Sequence, residues 1–206
     1  MRTLNAPTDK QAVTPSLKMA VSPESLADHR RLYDKYVCKA REQAEKLRTI
    51  QMNCRKAIPH DVANLKQDHA YVLAAIQNHD LYFPILSDKP TQPCNALLDA
   101  IVQSFGSLDA YKEDLRQTAL SARGWVWTVL CLDSGKLWNL GGAQTGQVPF
   151  WKAAPLLAID LYEHAYFLDY GNHRAAYIDA VLAHLNFSPV DALFHQAQRI
   201  KLAMAS

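Results

Sequence analysis

Apolar residues recur at helical spacing through most of the chain, and the texture changes once, near residue 125. Ser22-Pro23-Glu24-Ser25-Leu26 opens the first periodic stretch, with a serine cap, a proline at the first helical position and an acid in the first turn. The pattern predicts a helix from there to about Met52 or Arg55, broken before Pro59. A second helix is predicted from Asp61 to Tyr82, carried by Val62, Leu65, Val72, Leu73 and Ile76 and stopped by Pro84. A loop holding Pro90 and Pro93 leads to predicted helices over 95–105 and 107–122. Aromatic and β-branched residues then take over. Trp125-Val-Trp-Thr-Val-Leu-Cys-Leu132 reads as a strand, Asp133-Ser-Gly135 as a turn and Lys136–Leu140 as the returning strand. Gly141, Gly142 and Gly146 mark a loop, Pro155–Ile159 a short buried strand, and helices follow over 163–170, 173–185 and 189–202. The order predicts an α+β protein: an irregular arm over 1–21, a helical hairpin lobe over 22–90, and a lobe over 91–206 with a three-stranded antiparallel sheet flanked by helices.

Composition supports a helical globular chain. Of 206 residues 49% are hydrophobic and 20% charged, which excludes disorder as the dominant state, and only 7 are glycine. A net charge of +2 is too small to mark the whole chain as a polyanion binder, but it is unevenly placed. Residues 30–56 carry nine Lys or Arg against three acids. That surplus reads either as the solvated face of a long helix or as a surface toward RNA or an acidic neighbour. Cys38, Cys54, Cys94 and Cys131 form no C-x-x-C pair, so reduced thiols are expected. No apolar run reaches the ~18 residues of a membrane span, and no secretory core opens the chain. The first 22 residues, with Pro7, Pro15 and three basic residues, read as a mitochondrial transit or matrix-exposed arm or as a plain disordered tail.

The chemistry concentrates in Asp160-Leu-Tyr-Glu-His164. A carboxylate and an imidazole four apart, across the end of a strand, can converge on one metal ion; by itself the pair is equally a structural one. The wider run makes it specific. Pro155 through Arg174, together with Phe105-Gly-Ser-Leu-Asp109 and Gly124-Trp-Val-Trp127, resembles the iron/manganese superoxide dismutase family over about residues 22 to 195. The resemblance implies that family's fold and four metal ligands. Asp160 and His164 match two of them, and His79 in Gln77-Asn-His-Asp-Leu-Tyr-Phe83 matches a third. The first-helix ligand depends on register. Ser22, Ser25 and Leu26 place His29 on it, whereas anchoring on Tyr36-Val37 places Asp28 there, and one residue is about 100° of helix rotation. With His29 the set is three imidazoles and one carboxylate, suited to manganese or iron, one per chain.

Around that centre the resemblance implies further roles. Gln144, sixteen residues before Asp160, stands where manganese-type members place a glutamine on the metal-bound solvent, while Ala75 stands at the iron-type position, which favours manganese. Tyr36 is the gateway tyrosine in one register and Val37 in the other. Glu163, His164 and Phe167 fall at the subunit interface, where a glutamate–histidine bridge implies a homodimer or a heterodimer with a related chain. Leu32, Tyr33 and Asp34 replace the family's paired histidines, Phe167 replaces a partner-facing tyrosine, and Phe83 and Tyr162 replace two tryptophans. These departures remove a proton relay and lead to two expectations. One is a diverged structural subunit of a larger mitochondrial assembly, such as the small ribosomal subunit or a respiratory complex, in contact with RNA or protein neighbours and with weak or absent activity. The other is an active dismutase turning superoxide into dioxygen and hydrogen peroxide. The mitochondrial matrix is the expected compartment, the cytoplasm its alternative.

Overall fold

A computed structural model describes residues 19–52, 59–142 and 152–205. The first helix, α1, spans Pro23–Met52, and the Ser22 hydroxyl accepts the Ser25 N–H at 3.1 Å, so the predicted cap closes the first turn. Helix α2 spans Pro59–Tyr82 and packs along α1 as a hairpin. It begins two residues before the predicted start, because a proline in the first turn gives up an N–H that has no helical partner there. A 3₁₀ turn over Phe83–Ile85, with Pro84 inside it, ends the hairpin.

Helices α3, Asn95–Phe105, and α4, Leu108–Ser121, are separated by Gly106 at φ +90°, a backbone that side chains strain, and by Ser107, whose hydroxyl caps Ala110 N at 3.0 Å. The sheet follows as β1 (Trp125–Cys131), β2 (Leu137–Gly142) and β3 (Ala153–Asp160), antiparallel in the order β2-β1-β3. Gly135 at φ +74° turns the hairpin between β1 and β2. The central strand is buried along six of its seven residues, which explains its continuous apolar run rather than an alternating one. Strand β3 is longer than predicted. Thr128 faces Leu157 and Val129 faces Pro155, so a bulge at Leu156 admits a proline that has no N–H for the ladder.

Beyond β3 the chain departs from the helix expected over 163–170. It makes a 3₁₀ turn over Glu163–Ala165, breaks at Tyr166 with φ −141°, and completes one turn of helix, α5, over Phe167–Tyr170. Helices α6, Arg174–Ala183, and α7, Ser188–Ala205, close the fold. The core lies between sheet and helices and includes the fully buried Trp125, Tyr82, Tyr111, Tyr177, Phe187 and Phe194. No helix among the described residues is long and apolar enough to cross a membrane.

Candidate metal centre

Four side chains from four segments meet where the helical hairpin leans on the sheet. Along α1 the buried positions Ser25 and His29 recur at helical spacing, and both are almost wholly enclosed. Asp28, one residue earlier, is half exposed and pairs with Arg31 on the outer face of the same helix. Of the two candidates, His29 is the one the structure brings into the cluster, and Asp28 lies toward the surface.

His79 occupies the last turn of α2. Its Nδ1 lies 2.6 Å from the Ala75 carbonyl, which only accepts, so the ring proton sits on Nδ1 and the Nε2 lone pair points inward. Asp160 is the final residue of β3, with no solvent exposure at all. Its Oδ1 accepts the Tyr162 N–H at 2.9 Å, which leaves Oδ2 aimed at the histidines. His164, in the turn that follows, remains 36% exposed and is the one member open to solvent.

The distances define a single point of convergence. Asp160 Oδ2 lies 3.0 Å from His164 Nε2, 3.2 Å from His29 Nε2 and 3.6 Å from His79 Nε2, and the His29 and His79 Nε2 atoms are 3.0 Å apart. The four ligand atoms all lie within 4.8 Å of one another. Three ring nitrogens and a carboxylate oxygen crowded in this way can bind a cation in their midst, and the mixed N/O set suits manganese or iron. Burial pushes the Asp160 carboxyl up, but hydrogen bonds from His164 and His29 outweigh it and hold it down at about 2. Burial pushes His79 down, favouring the neutral ring that a metal requires.

Aromatic rings wall the cluster. His29 lies 5.1 Å from the Phe83 ring and His79 5.2 Å from Trp125, both edge to face. The Trp125 indole N–H is buried with no partner among the described residues, a donor left over beside the cluster. Arg30 sits 4.6 Å above Phe83, a cation over a ring at the rim. The structure also brings Tyr36 to the cluster. Its ring is 5.8 Å from His79, and burial first, then Tyr71 beside it, pushes its hydroxyl up to about 12.

Tyr33, in the stretch where the resemblance implies paired histidines, donates to Asp80 at 2.8 Å. Gln144 lies outside the described residues. Glu163 is exposed, and Phe167 and Leu168 beside it are 53% and 58% exposed. These residues rim a cavity of about 220 Å³ whose walls include His29 and His164. Arg123 and Arg174 line a second opening beside His164. Sequence reasoning missed the buried pair Tyr82 and Tyr177, whose hydroxyls meet at 2.9 Å. The three-residue step from His79 to Tyr82 signals only that both share one helix face, and Tyr177, just beyond the run that carries the resemblance, is linked to Tyr82 by no local pattern.

Comparison with known proteins points the same way. Residues 93–193 match the C-terminal domain of iron/manganese superoxide dismutases. Over 195 residues the chain is 31% identical to "Superoxide dismutase [Fe]" of Aquifex aeolicus, covering 92% of each. It is 36% identical over 129 residues to "Superoxide dismutase [Fe]" of Helicobacter pylori, covering 61% of this chain and 60% of that one. It is 33% identical over 128 residues to "Superoxide dismutase [Mn], mitochondrial" of Drosophila melanogaster, covering 60% of this chain and 58% of the relative. The matched stretch thus spans about three fifths of the Helicobacter and Drosophila relatives and nearly all of the Aquifex one.

Proposed function

The chain belongs to the iron/manganese superoxide dismutase family, and from that premise we propose that it is a metal-dependent dismutase converting two superoxide anions and two protons into dioxygen and hydrogen peroxide. The observation that carries the proposal is the convergence of three Nε2 atoms on one buried carboxylate oxygen. His29, His79, Asp160 and His164 would hold one manganese or iron ion per chain, which supplies the one-electron oxidation and reduction of successive superoxides. Asp160 contributes the only anionic ligand, and its burial keeps that charge strong toward the centre.

The remaining residues serve access and protons. Arg30 at the rim and Arg123 and Arg174 beside His164 give a small anion a favourable path inward. The high hydroxyl of Tyr36 keeps it a neutral donor near the cluster, in the gateway role. Gln144 would carry the role that the resemblance implies, a hydrogen bond to solvent on the metal. Glu163, His164 and the exposed Phe167 are assigned to a face shared with a second copy or a related chain.

The second reading is a structural subunit of a mitochondrial assembly with weak activity. It draws on the altered α1 face and on the adjacent exposed Phe167 and Leu168, an apolar pair suited to a protein neighbour. Metal content per chain of the natively isolated protein, with superoxide decay by stopped flow, separates the two. Close to one manganese or iron per chain with metal-dependent decay supports the enzyme. A metal-free chain confined to a far larger particle overturns it.

A further inference from the structure

Two phenols form a buried line from the helical hairpin to the backbone of a proposed ligand. Tyr177 of α6 places its hydroxyl 2.8 Å from the Asp160 carbonyl, and Tyr82 of α2 places its own 2.9 Å from that of Tyr177. Both side chains are completely buried. The direction of donation follows from counting protons. Each phenol has one hydrogen and a carbonyl oxygen only accepts, so Tyr177 donates to Asp160 and its oxygen accepts from Tyr82.

The line touches every segment that bears a ligand. Tyr82 follows His79 by three residues, and its ring lies 5.3 Å from His29. At the other end Tyr177 meets the main chain of Asp160, and its ring is braced by Tyr166 at 5.2 Å and Tyr170 at 5.8 Å, both just beyond His164. Asp160 is already held through its side chain by Tyr162 N–H and through its strand pairing with Trp125. A bond to its carbonyl removes a remaining freedom of the peptide that aims Oδ2.

We infer that Tyr82 and Tyr177 are positioning residues of the metal centre, a two-hydroxyl brace that fixes Asp160 relative to the histidines of both lobes. The inference rests on the reading of His29, His79, Asp160 and His164 as metal ligands. Partners one step removed from a ligand typically carry 10- to 100-fold in metal affinity, and this brace acts on the ligand that faces all three imidazoles.

The test uses the full chain as Tyr177→Phe, Tyr82→Phe and the double variant, read by Mn(II) competition binding, by the electron paramagnetic resonance spectrum of the Mn(II) protein, and by melting of the metal-free chain. Tyr177→Phe is expected to weaken Mn(II) binding at least about tenfold and to change the Mn(II) spectrum. Tyr82→Phe, which spares the bond to Asp160, is expected to do less. A Tyr177→Phe protein with parental affinity and spectrum overturns the inference whatever its melting temperature. If the parent itself binds neither Mn(II) nor Fe(II), the metal-centre reading fails, and with it the positioning role. The hydroxyl line is then judged separately in the metal-free chain: a double variant no less stable than Tyr177→Phe supports it, because Tyr82 is no longer left without an acceptor, and additive losses refute it.

Discussion

Replacing Asp160 by asparagine isolates the charge on which the centre depends. The amide has nearly the same shape and can still accept the Tyr162 N–H, which reaches Oδ1 at 2.9 Å. What it loses is the negative oxygen facing Nε2 of His164, His29 and His79 at 3.0, 3.2 and 3.6 Å. Burial raises the carboxyl's pKa and the His164 and His29 hydrogen bonds lower it further, with a net position of about 2. Against an ordinary aspartate near ~3.9, that depression corresponds to about 2 to 3 kcal/mol of native preference for the ionised form. The sign is set by which state binds the proton first. On acidification the unfolded chain takes it up near pH ~4, so the contribution is full above that pH and is lost as pH falls toward 2.

Asp160→Asn forgoes the whole contribution at neutral pH. The metal-free variant is therefore expected to unfold in urea with ΔG lower by about 2 to 3 kcal/mol at pH 7 and an unchanged m value. Metal uptake in the same variant is expected to fall to a small fraction of the parent's, because the only anionic ligand is gone. Parental stability at pH 7 would refute the account of an ionised, imidazole-bonded Asp160. Full metal content in the variant would refute its role as a ligand.

Three further outcomes follow from the same geometry. His29→Ala should abolish metal uptake measured by elemental analysis, whereas Asp28→Ala should leave it intact and cost under about 1 kcal/mol, since the Arg31 pair it breaks is exposed. The metal-free chain should melt at progressively lower temperature as pH falls below ~6.5. Burial depresses the pKa of His79, so the unfolded chain binds that proton first and stability is complete only above the ordinary imidazole range; a melting temperature flat from pH 8 to 5 contradicts this. Glu163→Ala, a surface change expected to move stability by less than about 0.5 kcal/mol, should shift sedimentation toward the monomer if its face is the subunit contact.

The start of α1 was legible because the chain marks it with residues whose chemistry is local, Ser22 as the cap and Pro23 as the first helical residue. Strand β3 was under-read at both ends. Ala153 and Ala154 are poor strand formers by themselves and join the ladder because Cys131 and Leu130 pair with them, and the bulge that admits Pro155 is a property of the pairing rather than of the run. The expected helix over 163–170 failed for a related reason. Asp160 and His164 must reach one point from the end of a strand, and the break at Tyr166 lets the chain turn there before α5 begins. Tyr82 and Tyr177 stand 95 residues apart, and no local pattern announces such a pair.

The first-helix ligand shows most clearly what a sequence leaves open and what packing then decides. Two anchors disagreed by one residue, and on a helix that is a rotation of about 100°. The buried positions of α1 show which side chain faces the cluster: Ser25 and His29, then half-buried Tyr33 and Tyr36, then Ala40 and Gln43 form one continuous stripe, while Asp28, Arg31, Lys35 and Lys39 lie outside it. His29 and Tyr36 are seven residues apart, two turns less about 20°, so both lie on the side that faces His79. The anchors conflict only if the gateway tyrosine must stand eight residues after the ligand. Tyr36 stands seven residues after His29, so it shares the face of His29 without that spacing. The carboxylate one position earlier is turned about 100° away, half exposed at the cavity rim and paired with Arg31.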